Sequence, residues 1–206
     1  LFRTTIYLQF LDMYGTMRFD LSNGGTITNY FCRNCNFKKI RMCLNHLGTE
    51  AASHLAFKCK NLFSLYLNIT SCDDGVLDIL FQNPCLKELT FMVHNGSLPE
   101  HELFHLPLDF KGGIQRLEMS DTEISIMQCS RLVFMQPHLI KLQLHGCNLT
   151  NDHIHALFGW QFRSDSLIEN GIVEIGLSGN QFDIYALQMI CNACSICSDI
   201  VLDDND

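Results

Sequence analysis

Residues 139–158 read LIKLQLHGCNLTNDHIHALF, and the reading of this stretch decides the fold. Leu139, Leu142 and Leu144 spell apolar, two variable, apolar, one variable, apolar; in an extended chain Leu142 and Leu144 then share one face while Lys141 and Gln143 take the other. Cys147 is the third residue past this phrase. Counting it as position zero, Leu149 stands at plus two, and Ile154 and Leu157 at plus seven and plus ten, an offset of three that is helical. The stretch predicts a short strand, a turn and a helix.

Working outward, the same phrase recurs as LFSLYL from Leu62, LKELTF from Leu86, IQRLEM from Ile114 and IVEIGL from Ile172, with FKKIRM from Phe37, CSDIVL from Cys197 and a weaker TMRFDL from Thr16. Successive starts lie 21 to 33 residues apart. Position zero holds Asn45, Thr70, His94, Thr122, Cys147, Asn180 and Asn205, and the helical pair recurs as Ala52 and Leu55, Leu77 and Leu80, Cys129 and Leu132, Leu187 and Ile190. Self-similarity at such a period marks an array of stacked units. A single unit is too small to bury its own leucines, so neighbours must share one core. Each large aliphatic side chain buried there contributes about 1.5–3 kcal/mol. The short polar side chain at position zero is expected to bond backbone groups that become buried where the chain leaves the strand.

On these residues the chain, from about residue 16 to 206, resembles a leucine-rich-repeat protein. The resemblance implies an α/β fold: a right-handed leucine-rich-repeat solenoid, a curved arc with parallel strands on its concave face and helices on its convex face. It implies one domain over residues 1–206, with units starting near 16, 37, 62, 86, 114, 139, 172 and 197 and residues 1–15 as a flank, within a longer protein that continues past Asp206. Residues 139–158, with Cys147 at position zero, resemble the cysteine-containing subclass, which in many F-box proteins forms the substrate receptor of a ubiquitin ligase. LSGNQFDIYALQMI, from Leu177, resembles instead the ribonuclease-inhibitor type found in intracellular immune receptors. The implied function is a non-catalytic protein–protein interaction module, with substrate recognition in an F-box-type ubiquitin ligase as its role. Alternatives are the recognition arc of an immune receptor and an actin-regulating scaffold. Upstream sequence would separate them, an F-box favouring the first and a nucleotide-binding domain with a P-loop the second.

Composition agrees with a folded binding module. Of 206 residues 47% are hydrophobic and only 17% charged, which opposes disorder. A net charge of −8 opposes general nucleic-acid binding, since neutralising phosphates needs clustered Lys and Arg. No apolar run reaches the 18 to 20 residues that span a bilayer, and the N-terminal residues carry no signal-peptide pattern. The 11 cysteines are odd in number, and many fall at apolar positions, where a thiol acts as a small hydrophobe. Sequons at Asn68, Asn95 and Asn148 point the other way. The expected setting is intracellular, in the cytoplasm.

HELFH, residues 101–105, matches the H-E-x-x-H zinc pattern, in which two histidines on one helical face hold the metal and the glutamate activates water. Pro107 truncates the helix that this chemistry needs, so the segment is read as a short helix on the convex side, with His101, Glu102 and His105 as spacer residues. Cys191, Cys194 and Cys197 with Cys32 and Cys35 could be written as a metal set. Strands spaced roughly 4.8 Å apart cannot join pairs that lie six rungs apart. His153 and His155 flank Ile154 at a helix start and are read as solvated. No phosphate loop or nucleophile elbow occurs. The expectation is no catalytic residue, no metal, no cofactor and no small-molecule substrate.

What remains is the outward-facing strand row. The expected partner-binding residues are Lys39, Arg41, Ser64, Tyr66, Glu88, Thr90, Arg116, Glu118, Lys141, Gln143 and Glu174, with Arg18, Asp20, Gly176, Asp199 and Val201 extending the row. Basic early, mixed in the middle around one tyrosine and acidic at the end, this surface suits a protein partner read by charge complementarity around an aromatic anchor. The two long units, from Leu86 and Leu139, carry insertions, the second with Trp160 and Phe162 in FGWQFRSDSLIENG, as either a local cap or a contact bulge.

Overall fold

The leucine phrase forms a strand at each strong occurrence, because its alternation gives one face to bury and one to solvate. A computed structural model describes residues 9–14, 19–21, 36–99, 103, 106–107, 110–158, 171–193 and 197–205. Along the chain these form β1 (Phe10–Met13), β2 (Phe19–Leu21), β3 (Lys39–Leu47), α1 (Thr49–Phe57), β4 (Ser64–Cys72), α2 (Val76–Phe81) and β5 (Glu88–Ser97). Then come β6 (Arg116–Glu123), α3 (Ile126–Phe134), β7 (Lys141–His145), α4 (Asn151–Phe158), β8 (Glu174–Gly176), α5 (Ile184–Ala193) and β9 (Asp199–Val201). The architecture is α/β. All strand pairs are parallel, in the order β1-β3-β4-β5-β6-β7-β8-β9, with β2 also beside β3.

Register is held by one apolar row. Leu11, Ile40, Leu65, Leu89, Leu117, Leu142, Ile175 and Ile200 sit opposite one another from strand to strand, as the phrase predicts. A one-residue slip would turn the whole row into solvent. The helices cover that face: Ala52 and Leu55 of α1, Leu77 and Leu80 of α2, Cys129 and Leu132 of α3, Ile154 and Leu157 of α4, and Ile190 of α5 join the strand leucines in one continuous core. Buried polar side chains serve the backbone of neighbouring units. Asn83 donates to the Leu55 and Cys59 carbonyls at the end of α1 and accepts from the Cys85 and Leu86 N–H groups. Gln136 accepts from Ile114 N–H just before β6.

Position zero splits into two regimes. From Thr122 onward it is bonded, and buried except at half-buried Asn205: Thr122 Oγ1 accepts from Val93 N–H, the Cys147 thiol lies 3.3 Å from the Met119 carbonyl, and Asn205 Oδ1 accepts from Asn180 N–H. Asn180 donates to the Leu144 and Leu177 carbonyls and accepts from Cys147 and Leu149 N–H. Upstream the expectation fails. Asn45, Thr70 and His94 are exposed, on β3, β4 and β5, which run on through position zero.

Two further readings are corrected. Residues 1–15 are not a bare flank, since β1 lies level with the first half of β3, Phe10 opposite Lys39; LQFLDM, Leu8–Met13, obeys the phrase. The TMRFDL segment instead supplies β2 beside the second half of β3, Leu44 to Leu47. The short helix expected over 101–105 is interrupted: Leu103, fully buried, has φ 71, in the left-handed region that a helix does not contain. His101, Glu102 and His105 lie outside the described residues, as do Trp160, Phe162, Arg18, Cys32, Cys35 and Cys194.

Candidate functional site

Alternation places every second strand residue on the face away from the helices, and register lines these residues up across the sheet. One column runs Lys39, Ser64, Glu88, Arg116, Lys141, Glu174, Asp199. The next runs Asp12, Arg41, Tyr66, Thr90, Glu118, Gln143, Gly176, Val201. Together they form a hollow of ≈ 390 Å³, lined by all the expected partner-binding residues from Lys39 to Gln143. Glu174 stands beside it, its Oε2 2.7 Å from Lys141 Nζ. Asp20 does not join the row, because it pairs with His46 at the far half of β3.

Each charge has a definite neighbour. Arg116 lies 3.5 Å from Glu88, so the sequence Glu88, Arg116, Lys141, Glu174 across four strands puts two cations side by side with a carboxylate drawn to the outside of each. Like charges directly opposite on a sheet repel, and the flanking glutamates offset this. The hydrogen bond from Lys141, then its charge, holds the Glu174 carboxyl below the usual range. Glu118 accepts a 3.4 Å hydrogen bond from Thr90 Oγ1 and has no cationic partner among the described residues.

At the other end Arg41 packs against two aromatic rings, its guanidinium carbon 3.9 Å from the Tyr14 centroid and 4.7 Å from that of Tyr66. The rings meet edge to face at 5.4 Å. Stacking of this kind contributes about 0.5–2 kcal/mol and fixes the guanidinium plane. Tyr66 Oη donates to Met92 Sδ at 3.3 Å. Burial, followed by the hydrogen bond and charge of Tyr14, raises the Tyr66 phenol above its ordinary value, against an opposing pull from Arg41. The carboxylate nearest Arg41 is Asp12 at 3.9 Å, whose other oxygen accepts from Tyr14 N–H. Arg41 Nε is shielded from solvent and has no acceptor among the described residues.

A third column escaped the sequence reading. Cys43, Asn68, Met92, Ser120 and His145 continue the same face, and Tyr14 lies beyond the end of β1. The missed signal was strand length, since these residues lie past the six-residue phrase. His145 lies over Gly176, where an added Cβ would come within 2.6 Å of the ring, so glycine permits this approach.

Beyond this face, Ser71, His46 and Asp73 form a hydrogen-bonded chain, Oγ to Nδ1 at 2.8 Å and Nε2 to Oδ1 at 3.0 Å. Sequence spacing gave no sign of it. Asp73 Oδ2 accepts from Thr49 N–H, an orphan donor of the first turn of α1, whose own N-cap Gly48 supplies no side chain. The trio ties β3 and β4 to the start of α1. His153 is likewise turned inward, its Nδ1 accepting from Thr150 N–H, and burial lowers its pKa.

No protein-family model matches the chain, and no curated protein matches it.

Proposed function

We propose that the chain is a leucine-rich-repeat solenoid that binds another protein on its helix-free strand face, without chemistry of its own. The observation that carries this reading is the hollow. Side chains from six strands, β1 and β3 to β7, converge on it, charged and aromatic, above a core that needs none of them. The regular strand–helix succession, the in-register leucine row and the bonded Thr122, Cys147, Asn180 and Asn205 series support the solenoid. Resemblance of residues 139–158 to cysteine-containing repeats supports the finer role, substrate recognition in an F-box-type ubiquitin ligase working inside the cell. Cys43, Cys85, Cys129, Cys147 and Cys191 lie outside any disulfide, in keeping with a reducing compartment.

The test is capture of partners by the complete protein, compared with a variant combining Arg41→Glu, Glu88→Arg, Arg116→Glu and Lys141→Glu. Partners held by the native chain should be lost while circular dichroism stays unchanged. Retention of all of them by the folded variant would remove this face as the binding surface.

A further inference from the structure

Once the ion pairs within the hollow are counted, its charges do not cancel evenly. Arg116 is taken by Glu88 and Lys141 by Glu174. Two sites are left over. On β3, Lys39 is exposed with no carboxylate partner among the described residues, and two residues along the same face Arg41 has only the long Asp12 contact. Arg41 is held in place by Tyr14 and Tyr66, with Nε unfilled. Opposite Lys39 stands Ser64, whose hydroxyl adds a donor. On β6, Glu118 is bonded only by the neutral Thr90 hydroxyl. Thus one end of the hollow offers cationic donors and the other a carboxylate.

We infer that the hollow selects an extended segment of a partner protein that carries an acidic side chain at the Lys39–Arg41 end and a basic side chain at Glu118. This rests on the proposed partner-binding role of the face. Strand spacing sets the separation: β3 to β6 is three steps of about 4.8 Å, roughly 14 Å. An extended peptide advances about 3.3 Å per residue, so the two charges sit about four residues apart. A guanidinium packed against two rings has lost much of its rotamer freedom before binding, so little further ordering is needed to use its fork on a carboxylate. Asp12 is the competing charge. Its Oδ1 is already occupied by Tyr14 N–H, and an incoming carboxylate with better geometry replaces a 3.9 Å contact.

The experiment is selection of random twelve-residue peptides displayed on phage against the immobilised chain and against a Lys39→Glu, Glu118→Lys variant. Selection against the native chain should enrich peptides with an acid and a base three to five residues apart, and the variant should enrich the same spacing with the order reversed. Fluorescence binding of the winning peptides should fall roughly tenfold on Lys39→Ala and again on Glu118→Ala. Arg41→Lys, which keeps charge and loses the fork, should weaken the acidic end alone, an effect read by loss of dependence on the peptide acid. Peptides that enrich without charge spacing, yet are lost on Tyr66→Ala, would overturn this inference and leave the binding face intact. Enriched peptides indifferent to every one of these substitutions would overturn both.

Discussion

Replacing Asn180 by alanine should be the most damaging polar substitution in the described chain. The side chain is 2% exposed and makes four short bonds to backbone: donation to Leu144 O at 2.8 Å and Leu177 O at 2.7 Å, acceptance from Cys147 N at 2.9 Å and Leu149 N at 3.0 Å. Alanine removes all four at once. At about 1 kcal/mol for each bond, and more where a group stays unsatisfied, the loss is about 3–5 kcal/mol. That is a large share of the stability of a domain this size. Urea unfolding followed by circular dichroism gives the global value, and hydrogen exchange at the Cys147 and Leu149 amides gives the local one, with protection collapsing there first. Asn45→Ala is the matched control: it changes the same position of an earlier unit, where the side chain is exposed on a nine-residue strand, and should shift stability by less than about 0.5 kcal/mol. Equal effects of the two substitutions would refute the claim that the Asn180 side chain completes backbone bonding after the short strand β8 in a way that Asn45, within the nine-residue β3, does not.

Leu117→Ala, in the centre of the buried row, should cost about 2–5 kcal/mol and lower Tm without changing the peptide specificity of the open face. Lys141→Met should lose a stabilisation tied to ionised Glu174. Because that carboxyl is depressed in the fold, the stabilisation is present above its unfolded pKa and disappears as pH falls through the folded value, so the Tm gap between native and variant should close in acid. A gap that persists at acid pH would point to packing instead. Cys129 and Cys147, their thiols pushed up to about 12 by burial, should resist alkylation in the native protein at neutral pH, whereas exposed Cys85 and Cys191 react; mass spectrometry of labelled peptides reads this directly.

Much of the architecture was legible because the phrase is redundant. Seven strong copies state the same alternation, and the register of Leu65, Leu89, Leu117 and Leu142 follows from any two of them. Two columns of the open face follow from parity for the same reason. Strand length was only partly legible: Gly146 marks the turn in Leu144-His145-Gly146 with φ 60, whereas in Leu44-Asn45-His46, which stays extended, the six-residue phrase does not say how far the strand runs on. A short polar residue at position zero is compatible with both. The Tyr14–Arg41–Tyr66 stack was out of reach too, because it joins strands whose pairing depends on the fold, and because LQFLDM was assigned to a flank.

The same accounting of backbone hydrogen bonds that separates Asn45 from Asn180 also bears on where the open face is broadest. Every buried N–H and C=O needs a partner, and the sheet supplies partners only as far as its strands extend. In β3 to β6 the strands run eight to ten residues and carry a third residue of the open face each, Cys43, Asn68, Met92 and Ser120; of their position-zero side chains Thr122 alone is buried, its Oγ1 accepting from Val93 N–H where the β5–β6 register shifts. In β8 and β9 they run three residues, and Asn180 and Asn205 must turn inward to complete the backbone bonding. A slot that serves the interior is no longer offered to a partner. The broad side of the face, with its paired tyrosines and unmatched charges, therefore falls where the strands are longest, and substitutions that shorten β3 or β4 should narrow the hollow before they touch the core.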